Sequence, residues 1–225
     1  MGLCSPGFEG WLPRFVRPLV GLLVLSALLS CAVSPQDTDQ AADWRPLYEA
    51  WQHPDPLPDF LLVDARGGAF QLSQLTDGYL LVGFIFTRCQ VGEACPLTTL
   101  KMKQTLELSE APDIPDLHLL SLTLDPEYDT PERLLAYATA HGAALERWTF
   151  ATGPEDLMTD GLPSLFNVLA MPSPEVGISH TVKVALLRPD LTLVADWKDD
   201  AFSPEAVVAA AKRDALGGLG PAGEK

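Results

Sequence analysis

Apolar positions along this chain gather into short runs separated by polar, Gly- and Pro-rich breaks. YLLVGFIF, from Tyr79 to Phe86, has no charged position, which predicts a strand buried on both faces. LHLLSLTL, from Leu117 to Leu124, predicts a second. FLLVDARGGAFQL, from Phe60 to Leu72, carries two apolar segments around Arg66, Gly67 and Gly68 and predicts a hairpin. Pro96 suits the first turn of a helix, so the pattern predicts a helix over about 96–108. Asp129, Thr130, Pro131 and Glu132 predict the start of another, closing near His141 and Gly142. VKVALLRP from Val182 and TLVADW from Thr192 are close enough to pair. A last helix is expected from Ser203 and Pro204 to about Leu216, before Gly217 and Gly218.

Read in order from Tyr79, these elements run strand, helix, strand, helix, strand, strand, helix. That is an α/β chain of the thioredoxin-like fold with an N-terminal β-hairpin, its first core units βαβ and parallel. The pattern gives one domain over about 46–216 and a Gly-rich tail over 217–225.

The amino terminus has a different texture. Arg14 and Arg17 precede the apolar run Leu19 to Leu29, which is short for a membrane span and suits a signal peptide over 1–30. LLSC, Leu28 to Cys31, resembles a bacterial lipobox, with Cys31 as the lipidated first residue; an uncleaved anchor is the alternative. Residues 31–45 then form a lipidated start and polar tether. Both readings place the domain on the non-cytoplasmic side, and the lipobox reading makes it an exported domain lipid-anchored to a bacterial membrane.

Charge narrows the partners. The 225 residues carry a formal charge of -15, and removing Arg14, Arg17 and Glu9 with the signal leaves -16. Such a surface repels phosphate backbones and argues against nucleic acid.

Of four cysteines, Cys4 leaves with the signal and Cys31 takes lipid, so Cys89 and Cys95 remain. They stand in FIFTRCQVGEACPLTT between the first core strand and its helix. In an oxidising compartment the pair could be a structural disulfide, a redox switch or half of a metal site. A bridge across so short a loop removes little unfolded-state entropy, which favours a functional reading. Cys95 at a helix start is expected to favour thiolate, because the partial positive charge there stabilises the anion. Two thiolates and an imidazole would suit copper, Cu(I) above all, with Cu(II) as a second state. Of four histidines, His53 lies in a Pro-rich approach, His118 inside a buried strand and His141 at a helix end. His180, in GISHTVKV, is read in the loop leading into the strand that faces the cysteine loop.

The segments PDFLLVDARGGAFQLSQL, GFIFTRC…CPLTT, SLTLDPEYDTPERLLAYA, WTFATG and SHTVKVALLRPDLTLVADW together resemble the Sco/SenC family, from about Pro58 to the last helix. That family comprises thioredoxin-fold copper proteins that help assemble the copper centre of cytochrome c oxidase. The resemblance implies copper held by Cys89, Cys95 and His180. It also implies a metallochaperone serving the copper-bearing subunit of the oxidase or another exported copper protein. Two departures stand out. The usual motif has three residues between the cysteines and proline after the first, whereas here five intervene and Gln90 follows Cys89. EVGIS, before His180, lacks the acidic and aromatic neighbours common in the family. Asp125 matches a recurrent aspartate and reads as a support of the site rather than a ligand, with a helix-approach turn involving Pro126 as the alternative. The alternative function is a thiol:disulfide oxidoreductase using Cys89 and Cys95 as a catalytic dithiol; a peroxidase is a weaker third.

Overall fold

The structure, a computed structural model, describes residues 56–89 and 94–217. The expected signal peptide, lipidated Cys31, tether, His53 and the end of the C-terminal tail lie outside the described residues. Within them no helix is long and apolar enough to cross a membrane.

The hairpin forms as predicted, with β1 (Leu61–Asp64) and β2 (Ala69–Gln71) antiparallel. The two apolar-rich runs become β3 (Tyr79–Ile85), buried at every position, and β4 (Leu117–Thr123), buried at all but His118. They pair in parallel from Tyr79↔Leu117 to Ile85↔Thr123. Between them lies α1 (Ala94–Leu108), which starts two residues earlier than Pro96 suggests and so takes Cys95 into its first turn. α2 (Pro131–Ala140) follows β4, then β5 (Trp148–Thr152), parallel to β4. β6 (Ala170–Ser173) and β7 (Gly177–His180) form a separate two-stranded hairpin. β8 (Lys183–Leu187) and β9 (Leu193–Lys198) pair antiparallel as the sequence suggests. α3 (Pro204–Ala215) is capped by Ser203, whose side chain accepts from the Ala206 N–H.

The main sheet runs β2-β1-β5-β4-β3-β8-β9. Three features were invisible to the hydropathy pattern: β5, the β6–β7 hairpin, and the helical turns over Leu157–Leu165. WTFAT is only five residues long, and β6 and β7 carry Pro172, Ser173, Gly177 and Ser179. Such segments lack the long apolar run that marked β3 and β4.

Successive residues of β3 point to opposite faces, and two apolar cores result. Leu80, Val82 and Phe84 pack with Leu62, Leu72, Leu122 and Met158 on one side. Leu81 and Ile85 pack with α1, α2 and α3 through Met102, Leu134 and Val207 on the other. Gly83 admits α1: a Cβ there would stand 2.9 Å from the Met102 sulfur. Met102 is fully buried, so truncating it to alanine would cost about 2–5 kcal/mol and loosen the helix that carries Cys95.

Candidate metal centre

β3 ends just before the cysteine loop, so its carboxyl edge fixes where that loop begins. Thr87 is clamped there by Asp129: its backbone N–H and hydroxyl both donate to the carboxylate, at 3.0 and 2.5 Å. The Thr123 hydroxyl, at the end of β4, donates to the same carboxylate at 2.5 Å. Asp129 is wholly buried, and that burial raises its pKa against the pull of these donors. The sequence read Asp129 as part of a helix-start signal. α2 does start at Pro131, but Asp129 lies below it as the anchor of the cysteine loop.

Arg88, next in the chain, forks onto Asp125, with Nε to Oδ2 at 2.5 Å and Nη2 to Oδ1 at 3.2 Å. Its guanidinium lies 4.5 Å from the Tyr128 ring centroid. Asp125 thus holds Arg88, the residue that precedes Cys89. Thr87 and Arg88 carried no signal in sequence, because their partners lie about 40 residues away.

Cys95 is 1% exposed, and its sulfur lies 3.5 Å from His180 Nε2. Cys89, half-buried, hydrogen-bonds to Cys95, and the two are thiols rather than a disulfide. His180 Nδ1 lies 3.1 Å from the Thr181 carbonyl oxygen. A carbonyl only accepts, so Nδ1 carries the proton and the Nε2 lone pair faces the Cys95 sulfur. Burial also holds the imidazole below its usual pKa, which keeps it neutral. Phe86 meets the ring edge-on at 5.7 Å between centroids.

His180 ends β7 rather than sitting in a loop. Its cross-strand partner is Ala170, and the turn between the strands relies on Gly177 at φ +79°. His118 lies elsewhere, its Nε2 2.9 Å from Asp77 Oδ1. His141 caps α2 and lies against the Tyr137 ring at a tilt, with 4.3 Å between ring centroids.

One expectation is overturned. Cys95 does occupy the first turn of α1, but its thiol is pushed up to about 12 rather than down. Burial is the main cause; a hydrogen bond from the Phe86 backbone opposes it, and smaller contributions from the nearby Cys89 and the Asp129 carboxylate add to it. A helix terminus supplies only about 0.3–1 kcal/mol, too little to offset burial.

The pocket therefore holds two thiols and one neutral imidazole with its lone pair turned inward. These are soft and borderline donors, suited to a thiophilic cation that displaces the thiol protons. Among the described residues no three His, Cys, Asp or Glu side chains stand close enough together to hold an ion. An ion held by all three of Cys89, Cys95 and His180 would require these donors to move closer together than they stand here.

The family model described as SCO1/SenC matches residues 50–215. The SCO1 protein homolog of Bacillus subtilis is 28% identical over 156 residues, covering 67% of this chain and 79% of that protein. The SCO1/SenC family lipoprotein from Bacillus anthracis superposes with a TM-score of 0.65 at 21% identity, over 72% of this chain and 96% of the other. Arabidopsis thaliana ScoI with copper bound superposes at 0.62 and 17% identity, over 71% and 98%. These likenesses place the chain among thioredoxin-like folds of that type.

Proposed function

From the premise that this chain belongs to the SCO1/SenC family, we propose that it binds copper through Cys89, Cys95 and His180 and passes it to an acceptor. The acceptor in this reading is the copper-bearing subunit of cytochrome c oxidase or another exported copper protein. The observation that carries it is the His180 Nε2 lone pair facing the Cys95 sulfur at 3.5 Å, with Nδ1 committed to the Thr181 carbonyl. Binding Cu(I) releases the Cys89 and Cys95 protons to solvent and changes no oxidation state. A three-donor site leaves a position for an incoming thiolate, so copper can move by ligand exchange. The second state, Cu(II), would draw more on the imidazole.

The dithiol alternative needs Cys89 to attack a disulfide and Cys95 to resolve the mixed species. Burial disfavours that second step, since a thiol held near 12 is scarcely ionised at neutral pH. Cys89 and Cys95 more readily serve as catalytic residues if a substrate first opens the pocket.

In the same reading Cys31 carries lipid and the tether holds the domain outside the cytoplasm. Support comes from LLSC in the sequence and from a lipoprotein among the relatives. Labelled fatty acid should enter the wild-type protein and not Cys31→Ala.

Anaerobic Cu(I) titration with X-ray absorption tests the copper site. Wild type should hold one copper with sulfur and nitrogen neighbours, and His180→Ala should show sulfur alone with weaker binding. Equal affinity and unchanged nitrogen coordination in His180→Ala would remove His180 from the site; absence of stoichiometric copper in wild type would leave the dithiol alternative.

A further inference from the structure

Beside the cysteine loop, a half-open groove of about 290 Å³ separates the β4–α2 turn from the β6–β7 hairpin. Arg88, Asp125 and Glu127 from the β4–α2 segment, Glu155, and Met171 and Ile178 from the β6–β7 hairpin are among the residues that line it. Arg88 adjoins Cys89 in the chain, and Ile178 lies two residues before His180 on the same strand. The groove thus neighbours the candidate metal centre along both chain segments.

Its size is at the lower bound of small-molecule sites, which argues against a cofactor and suits a single long side chain with its neighbours. Its walls combine two properties. Met171, next to the cross-strand partner of His180, is 66% exposed, although an apolar side chain of this size normally seeks cover. Asp125 is already neutralised by Arg88, whereas neither Glu127 nor Glu155 has an ion-pair partner among the described residues. The groove therefore offers apolar cover and two uncompensated negative charges.

We propose that this groove docks a segment of the copper-exchanging partner in which a lysine or arginine stands between apolar residues. The inference rests on the copper reading for what the partner carries, and on the groove alone for how the partner is recognised. Docking there would bring the partner's ligands beside Cys89 and His180, and the cation would steer the approach.

The test uses the full-length, ¹⁵N-labelled protein and three probes: Ac-Leu-Lys-Leu-NH2, Ac-Leu-Glu-Leu-NH2 and Ac-Leu-Ala-Leu-NH2. The lysine peptide should shift the amides of Glu127, Glu155, Met171 and Ile178, and added salt should weaken it. Glu127→Gln/Glu155→Gln should lower its affinity about fivefold, as expected for two exposed ion pairs. The control Glu107→Gln/Glu110→Gln, on exposed carboxylates at the far end of α1, should not. Equal binding of the alanine peptide, shifts spread over the acidic surface, or no effect of the Glu127/Glu155 change would overturn the proposal. Copper content, measured separately, should be the same in both double variants and wild type. A wild type without copper would overturn the copper reading while leaving the peptide result to stand by itself.

Discussion

Two arginine–aspartate forks grip opposite ends of β3. At its start, Arg188 donates to Asp214 through Nε at 2.9 Å and Nη2 at 2.6 Å, and the Tyr79 hydroxyl joins the same carboxylate at 2.9 Å. Past its end, Arg88 makes the like contact with Asp125 just before Cys89. The aspartates are similarly buried, at 5% and 8% side-chain exposure, but Arg188 is 22% exposed and Arg88 51%. The chemistry is the same and the surroundings differ. The far fork joins α3 to β3 and the end of β8 in the core, whereas the near fork holds a loop against a turn in partial contact with water. Burial decides which fork supports the fold and which one sets the position of a site.

Breaking each fork should therefore read out differently. The largest effect belongs to Asp214→Ala, which strands the Arg188 charge and the Tyr79 hydroxyl. A loss of about 3 kcal/mol is expected by urea unfolding, with copper per folded molecule unchanged. An equal loss of copper would mean that the far fork also shapes the site. Asp125→Ala should cost under about 1 kcal/mol of stability, because Arg88 is half in water. It should nonetheless loosen copper about tenfold in the Cu(I) titration, as removal of a group supporting the ligands commonly does. Unchanged copper affinity would make the near fork merely a surface pair.

Protons sharpen the same contrast. Copper must displace thiol protons, and Cys95 keeps its proton to about 12. Affinity should therefore rise about tenfold per pH unit for each thiol proton released between pH 6 and 8, and Cys95→Ser should flatten that slope. Fold stability should respond to acid at the site end. Burial lowers the His180 pKa, so the unfolded chain binds a proton that the folded one resists. Stability from this group is present above its ordinary value of about 6.5 and is lost as pH falls through the folded value. A smaller acid dependence is expected in His180→Asn, with His141, lowered for the same reason, accounting for part of what remains. At the start of β3 the sign reverses. Tyr79 is raised to about 12 by burial and by its bond to Asp214, so its contribution is present below about 10 and lost as pH rises through 12. Tyr79→Phe should reduce the alkaline loss and leave the acid branch alone; Tyr137 and Cys95, also raised to about 12, supply the rest.

The strands easiest to foresee were those buried on both faces. β3 announced itself because a strand covered on two sides needs a nearly continuous apolar run, and β4 because its leucines stay dense around His118 and Ser121. α3 was equally legible, since Ser203 and Pro204 supply a cap and a first-turn proline in the right order. β6 and β7 escaped because a two-stranded hairpin at the domain surface buries too little to impose a pattern. That omission mattered, because β7 is what carries His180.

By itself the sequence determined the donor types, their places relative to β3 and α1, and the core periodicity that aligns the sheet. These are properties of residues and of spacing along the chain. Only the tertiary structure decided that Nε2 of His180 faces Cys95, that Asp129 anchors Thr87 rather than capping a helix, and that Cys95 is a thiol held near 12. Each depends on which groups the packed fold brings together and on how much water is left between them. Local sequence encodes the helix start that would favour a thiolate, but desolvation, a sum over the packed neighbours, overrides it.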